Sequence, residues 1–399
     1  MRAVGEGRLE PDAAFAEEMD FCLVCRNCES ACPAGVEFGR MMSHTRAGLE
    51  ELRERSPKAR FLRWLGLRVL IPHRLPLELA AIGARLASKT GLIRLVAPLL
   101  GSSFPPPEDL PTVPPRRERR LLPPRSTPAA ETLEEAILLE GCLMPIYLGR
   151  VNRASTAVLN ALGVAVLAPP QAGCCGAMHA HNGDEAQARH LAKALMRSYE
   201  DHEDHEDASG TPMPIVVGSA GCGSHMKEYA ELFQPGTTDH TAAVAFAARV
   251  VDWNEYVAPR LNRLAQLDQG SSKGAIQTEL GEAKTATWDA PCHLCHGQGV
   301  RDEPLAVLDV ALERAQITRV PLLDSESCCG SAGTYSMTHP AAANELLEGK
   351  LDNLEATGAK LLVTSNPGCQ LQWELGIRRR GLDVRVAHVA EVVAATLQA

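Results

Sequence analysis

Residues 172–176 read Ala-Gly-Cys-Cys-Gly and residues 326–330 read Glu-Ser-Cys-Cys-Gly, and the reading of these two strings decides the fold. Each belongs to a longer matched series. Cys142, Cys174-Cys175-Gly176 and Cys222 recur in order as Cys292, Cys328-Cys329-Gly330 and Cys369, at offsets of 150, 154 and 147 residues. The last landmarks also share wording, SAGCGS at 219–224 and NPGCQL at 366–371. Three landmarks at a near-constant offset mark a duplicated domain.

Working outward, a short apolar run ends just before each landmark. In the first copy these runs are AILLEG (136–141), VAVLAPP (164–170) and PIVVGSAG (214–221); in the second they are TATW (285–288), RVPLL (319–323) and LLVTSNPG (361–368). Helical patterns separate them, including RVNRASTAVLNALG (150–163), DEAQARHLAKALMRSYE (184–200) and AANELLEGKLDNLEATGA (342–359). Strand–helix alternation predicts an α/β fold with a small parallel sheet in each copy and right-handed crossovers. Ligands in such sheets gather at the carboxyl ends of the strands. All six landmarks lie there, so cysteines distant in sequence are expected to converge.

Near the start, Cys22, Cys25, Cys28 and Cys32 are spaced CxxCxxCxxxCP. Soft thiolates bind iron, and two-residue gaps let one curling loop place three of them on one cluster. In two-cluster ferredoxins the fourth cysteine of such a run serves the other cluster. A zinc knuckle is the competing assignment, but zinc sites pair two CxxC units or add histidines. The run therefore predicts an α-helical, ferredoxin-like segment holding a 4Fe-4S cluster.

The predicted division is a ferredoxin-like segment at 1–50, a helical basic region at 51–103, a proline-rich linker at 104–130, and two cysteine domains at 131–265 and 283–399. Residues 51–125 carry 15 Lys and Arg against 6 Asp and Glu, in a chain of net charge −9. Mixed with Trp64, Leu65, Leu67 and Val69, this surplus suits an anionic membrane or an acidic partner subunit; amphipathic helices packed on the core, with solvated arginines, account for it equally well. The proline-rich run from Phe104 to Pro128 reads as extended chain.

Thirteen cysteines are too many for a disulfide framework in a reducing compartment, and the odd count leaves one over. An acidic chain, 45% hydrophobic and 22% charged, is globular and a poor ligand for nucleic acid. No signal-peptide pattern opens it, and no run of about eighteen uncharged apolar residues occurs. A cytoplasmic protein is expected, peripheral at most on the inner face of the cell membrane. The strings GSAGCGS and CHGQGV lack a Walker lysine and the dinucleotide spacing, and EDHEDHED at 200–207 reads as a solvated loop.

FCLVCRNCESACPAGV (21–36), AGCCGAM (172–178), APCHLCHGQGVR (290–301), SCCGSAGTYSM (327–337) and NPGCQLQ (366–372) together resemble the iron-sulfur subunits of glycolate oxidase (glycolate dehydrogenase). That family lies within the wider CCG-domain group that includes the CCG-bearing chain of heterodisulfide reductase. The resemblance implies two CCG domains behind the ferredoxin-like segment, in a subunit that takes electrons from a FAD-containing dehydrogenase subunit oxidising a 2-hydroxy acid and passes them towards a quinone or membrane acceptor. It implies cluster binding by Cys22, Cys25, Cys28 and Cys32, by Cys142, Cys174, Cys175 and Cys222, and by Cys292, Cys328, Cys329 and Cys369. No flavin motif is evident, so the chain is not expected to be active alone. The rival from the same group is a catalytic CCG-type reductase acting on a disulfide or quinone; a zinc-bound scaffold is a third reading.

Where the wider CCG pattern closes each copy with CxxC, this chain has Cys222-Gly-Ser-His225 and Cys369-Gln-Leu-Gln372. Four thiolates per copy remain, which puts a five-thiolate non-cubane cluster in doubt. Cys295 has no counterpart and is expected to be a bystander. His225 is read as replacing a thiolate or as a supporting residue, and His293 and His296 as tuning a cluster by hydrogen bonds or as structural. The family carries two CxxCxxCxxxCP runs and this chain one, resembling the second. Residues 1–11 resemble the family's inter-cluster segment, so an additional cysteine run upstream of residue 1 is expected, the alternative being a natural deletion that leaves Cys32 to close a single cluster.

Overall fold

The computed structural model describes residues 1–92, 106–200, 212–267 and 280–397. The acidic EDHEDHED string, beyond its first residue, and much of the apolar stretch 91–104 lie outside the described residues.

Each copy builds a parallel sheet whose central strands are buried on both faces, as cover by crossover helices requires, while the edge strand Thr318–Arg319 of the second is polar and exposed. In the first, β2 (Glu134–Leu139), β3 (Val164–Leu167), β4 (Ile215–Val217) and β5 (Val250–Asp252) assemble in the order β3-β2-β4-β5. In the second, β6 (Thr285–Trp288), β7 (Thr318–Arg319), β8 (Leu361–Thr364) and β9 (Arg385–His388) assemble as β7-β6-β8-β9. Copy for copy the order is the same, so the duplication seen in the cysteines extends to topology.

Three details depart from expectation. A short strand, β1 (Arg125–Ser126), closes the edge of the first sheet antiparallel to β3. Strands β5 and β9 add a fourth parallel member to each sheet. In the run RVPLL only Arg319 is in a strand, because Pro321 has no N–H to give a ladder.

The two halves are not separate bodies. The helix Gly149–Ala161 of the first packs against Val389–Ala395 of the second, and one apolar core runs through Val158, Leu159, Trp253, Val307, Val363 and Val393. At the carboxyl ends of the sheets, Asn254 Nδ2 donates to Ser365 Oγ (3.1 Å) and the amide of Gly221 donates to Asn366 Oδ1 (3.2 Å). Loops bearing Cys222 and Cys369 therefore abut.

The amino-terminal segment forms helices Ala13–Phe21, Asn27–Ser30 and Phe38–Leu52 and wedges between the halves. Arg26 pairs with Glu228 of the first copy. Ser30 Oγ lies 2.9 Å from His296 Nδ1 of the second, and Arg46 donates to the carbonyl of His181 (2.7 Å). Downstream, Pro57–Arg63 runs into a π-helical turn, Trp64–Leu70, and then into the helix Arg74–Lys89. Most arginines of this region anchor it: Arg53 to Asp20 (2.5 Å), Arg55 to Glu50 (2.6 Å), Arg68 to Asp184 (2.8 Å) and Arg119 to Glu78. That pattern matches helices packed on the core, although Phe61, Trp64, Leu75, Leu79 and Leu86 stay exposed. The described part of the proline-rich run is not a free extended linker: it alternates extended chain with two 3-10 turns, Pro107–Asp109 and Arg116–Arg119, and is pinned by Asp109 to Arg379 (2.5 Å) and by buried Val113. No described helix is long and apolar enough to cross a membrane.

Candidate metal centre

The turn after β3 places Cys174 and Cys175, and the turn after β7 places Cys328 and Cys329. Both turns depend on glycine. Gly176 has φ +87° and Gly330 φ +82°, in the left-handed region that residues with a Cβ avoid. Both also press on the backbone of the second helix downstream, Glu185–Glu200 or Pro340–Thr357: a Cβ on Gly176 would lie 3.1 Å from the Ala188 carbonyl oxygen, and one on Gly330 2.5 Å from that of Ala343. The third residue of Cys-Cys-Gly is thus fixed twice in each copy by curvature and contact.

The four cysteines of each copy meet. In the first, the Cys174 thiol interacts with those of Cys142 and Cys175, and Cys175 in turn with Cys222. In the second, Cys328 interacts with Cys292 and Cys329, and Cys329 with Cys369. Acidity alternates along these chains. Hydrogen bonds from neighbouring thiols hold Cys174 and Cys222 down while Cys142 and Cys175 are pushed up. Likewise Cys292 and Cys329 are held down, with Cys328 and Cys369 pushed up. Most are buried; Cys142, Cys222 and Cys292 are half-buried. Backbone and amide donors add to the sets: the Gly176 amide to Cys174 Sγ (3.4 Å) and Asn366 Nδ2 to Cys369 Sγ (3.4 Å).

At the amino terminus, Cys25 lies within electrostatic reach of Cys22 and Cys28, and also of Cys292. Val24 and Arg26 on either side of it have φ of +55° and +65°. For branched Val24 this is strained backbone, and it curls the loop so that three thiols share one side. Cys32 is apart from that group. The amides of Val36, Ala34 and Gly35 lower its pKa.

Histidines fill the space between the two quartets, and sequence reasoning missed two of them, His179 and His181. The His181 ring lies 5.2 Å from that of His293 and 6.3 Å from that of His225. Burial holds His225 at about 4 and His181 well below the ordinary range, so both are neutral near pH 7. Burial also disfavours charge on His293 and His179, but the thiols of Cys292 and Cys174 outweigh it and the net shifts are upward. His296 lies elsewhere, with Nδ1 at Ser30 Oγ and Nε2 at the carbonyl of Glu326 (3.1 Å).

A second signal was legible but overlooked. Lys350 falls on the apolar face of the helix Pro340–Thr357 formed by Ala343, Leu347, Leu351 and Leu354. Its ammonium pairs with Asp289 (2.7 Å) and donates to the carbonyls of Asp324, Ser325 and Ser327 in the loop before Cys328. Asp289 also accepts from Trp373 Nε1 (2.8 Å).

Cys295 joins neither quartet. It forms with His296 and Glu326 a group whose ligand atoms lie within 4.8 Å of one another. Both His296 nitrogens are engaged, Arg301 pairs with Glu326, and burial pushes the Cys295 thiol up to about 12. A cation would compete with a guanidinium there.

Comparison with known proteins follows the same lines. The family model for the cysteine-rich CCG domain matches twice, at 137–227 and 286–374. The chain is 29% identical to a probable glycolate oxidase iron-sulfur subunit of Bacillus subtilis, over 98% of this chain and 85% of that one. It is 32% identical to the glycolate oxidase iron-sulfur subunit of Escherichia coli, over 89% of this chain and 77% of the relative. The chain belongs to the family of glycolate oxidase iron-sulfur subunits. A lactate utilization protein A of Geobacillus kaustophilus is 27% identical over 63% of this chain and 95% of its own length. Within the family frame, the two CCG matches contain both Cys-Cys-Gly turns and all eight quartet cysteines.

Proposed function

We propose that this chain is the iron-sulfur electron-transfer subunit of a flavin-dependent 2-hydroxy-acid dehydrogenase, glycolate being the substrate its relatives' names carry. The convergence of four cysteines at the carboxyl end of each sheet carries the reading. Eight mostly buried thiols in two sets, held by a duplicated turn and supplied with N–H donors, are a donor set suited to iron rather than to harder ions. Cys142, Cys174, Cys175 and Cys222 would hold one cluster, and Cys292, Cys328, Cys329 and Cys369 another. Cys22, Cys25 and Cys28 would hold a 4Fe-4S cluster in the amino-terminal segment, with Cys32 as its fourth ligand or as the ligand of a neighbouring cluster. Bound clusters supply one-electron capacity.

The chain's own residues do the rest. They exclude water from the quartets, donate hydrogen bonds to Cys174 Sγ and Cys369 Sγ, and bring Cys25 within electrostatic reach of Cys292. Oxidation of an alcohol releases two electrons, so a FAD-bearing partner subunit takes the pair and this chain passes electrons on singly, towards a quinone at the inner face of the membrane. Alone, the chain oxidises no glycolate.

Anaerobic purification with iron and sulfide counts, followed by electron paramagnetic resonance of the reduced protein, tests the cluster reading. A colourless, iron-free protein after anaerobic reconstitution refutes it. Dye-linked glycolate oxidation by the purified single chain refutes the division of labour.

A further inference from the structure

The helix Arg74–Lys89 has two apolar faces, and the fold uses one of them. Leu77 and Ala81, one turn apart, are buried and pack with Val113 and Ile146. Leu75, Leu79, Ile82 and Leu86 follow one another at steps of four, three and four residues, which places them in a single row on the opposite side. Leu75 is 67% exposed, Leu79 60% and Leu86 58%, so no described residue covers the row. A lone exposed leucine needs no explanation, but a row of them along a sixteen-residue helix is a contact surface.

Charge around the row is one-sided. Residues 57–92 hold seven Lys and Arg against one acid, Glu78, in a chain of net charge −9. Glu78 is engaged within the fold by Arg119 and Arg74. Arg85 and Lys89 flank Leu86 and are exposed. Among the described residues neither has a carboxylate partner, and Arg85 reaches only the carbonyl of Val113. Just upstream, Arg60 is likewise exposed and without a carboxylate. It precedes Phe61 and Trp64, both more than half exposed, with ring centroids 6.0 Å apart.

These features select the kind of partner. Leu75, Leu79, Ile82 and Leu86 offer no hydrogen bond and so no directional contact. Arg85 and Lys89 stand at the edge of the row, where long side chains keep their stems among leucines and carry their charge to an anionic layer. Tryptophan favours the same boundary. A layer of acyl chains under anionic headgroups meets all three. No described helix is long and apolar enough to cross a membrane, so this one lies along the surface.

We propose that the outer face of the helix Arg74–Lys89 docks on an anionic lipid surface, with Leu75, Leu79, Ile82 and Leu86 in the acyl boundary and Arg85 and Lys89 on the headgroup phosphates. The inference rests on the reading that this chain delivers electrons towards a membrane acceptor, and it names the surface that brings the chain there. The inner face of the helix packs with Leu143 and Ile146, directly after Cys142, so docking ties the first quartet to the membrane.

The test is flotation of the cluster-loaded full chain with vesicles of phosphatidylcholine alone, and of phosphatidylcholine and phosphatidylglycerol in equal parts. The wild type is expected to float with the anionic vesicles, less so as salt rises, and to stay behind with the neutral ones. Arg85→Gln with Lys89→Gln should lower the partition coefficient about 30-fold, at about fivefold for each charge. Leu79→Gln with Leu86→Gln should lower it about 100-fold. All four side chains are exposed, so both variants should keep the wild-type urea midpoint. Leu79→Trp gives a reading that depends on no loss of binding: brominated lipid should quench its emission more than that of the wild type. Equal flotation with neutral and anionic vesicles, unchanged partition of the leucine variant, or no added quenching from position 79 overturns the inference. So does a leucine variant that still binds vesicles but no longer binds the FAD-bearing subunit, which makes the row a protein interface. A chain that floats as expected yet holds no iron after anaerobic reconstitution overturns the functional proposal alone. A cluster-bearing chain that ignores anionic vesicles overturns this inference alone.

Discussion

Gly330→Ala should be among the most damaging single-methyl additions this chain can receive. The Cβ enters at φ +82°, which costs about 1–2 kcal/mol for any residue with a side chain. It also lands 2.5 Å from the carbonyl oxygen of Ala343. That atom is backbone, so the helix Pro340–Thr357 must move, and overpacking of this kind costs about 1–3 kcal/mol more. The sum is about 2–5 kcal/mol. Gly176→Ala carries the same strain with a gentler contact of 3.1 Å and should cost about 1.5–3 kcal/mol. Gly381→Ala isolates the strain: φ is +64° and nothing lies within 4 Å of the added Cβ, so about 1 kcal/mol is expected. Urea unfolding followed by far-ultraviolet circular dichroism ranks the three by midpoint at constant slope. If Gly330→Ala unfolds at the same urea concentration as Gly381→Ala, the close contact beneath the second Cys-Cys-Gly turn does not exist.

Replacing Cys174 and Cys175 together by serine should lower iron per chain and abolish electron transfer, whereas Cys295→Ser should do neither; equal iron in the double variant and the wild type would sink the ligand assignment. Lys350→Met strands a buried carboxylate at Asp289 and is expected to destabilise by about 3–5 kcal/mol. Adding Asp289→Asn should recover part of that loss in the same urea titration, and no recovery would mean that the pair is not coupled. His388 is fully buried, with Nδ1 accepting from the Ala390 amide (3.1 Å) and Nε2 at the Gly218 carbonyl (3.2 Å), and burial holds it at about 4. Its folded pKa lies below the unfolded value, so its contribution is complete above about pH 6.5 and lost as pH falls towards 4. In His388→Gln the fall in stability between those pH values should be shallower; an unchanged slope refutes the assignment.

The first and third strands of each copy were legible because apolar runs stop one turn short of a cysteine, and a cysteine series repeated at near-constant offset needs no alignment to see. Strands β5 and β9 were not, since Val250–Asp252 and Arg385–His388 are too short to show a period and precede no cysteine. The quartets could be written down from Cys142 to Cys369 because sulfur chemistry is declared by residue type. What surrounds them could not. The His179 ring is held by the carbonyl of Leu67, 112 positions away, in a π-turn that no hydrophobic period reveals. Lys350 was different: a lysine among Ala343, Leu347 and Leu354 is visible in the sequence as a charge on an apolar face, and a buried partner follows from it.

The amino-terminal wedge also imposes an order on how the molecule is made. Arg26 and Ser30 find their partners 202 and 266 residues further along the chain, at Glu228 and His296. At a synthesis rate of about 5–20 residues per second, His296 emerges roughly 13–53 s after Ser30. During that interval the strained loop holding Cys22, Cys25 and Cys28 has no surface to close against, although each of its thiols has already been made. Pulse-labelling nascent chains with a thiol reagent should find Cys22 and Cys25, half-buried in the folded chain, more reactive until residues beyond His296 have left the ribosome. Cys22 and Cys25, translated early, are therefore sheltered only once the chain beyond residue 296 exists, and metal delivered to the loop must either arrive late or be guarded until the wedge is seated.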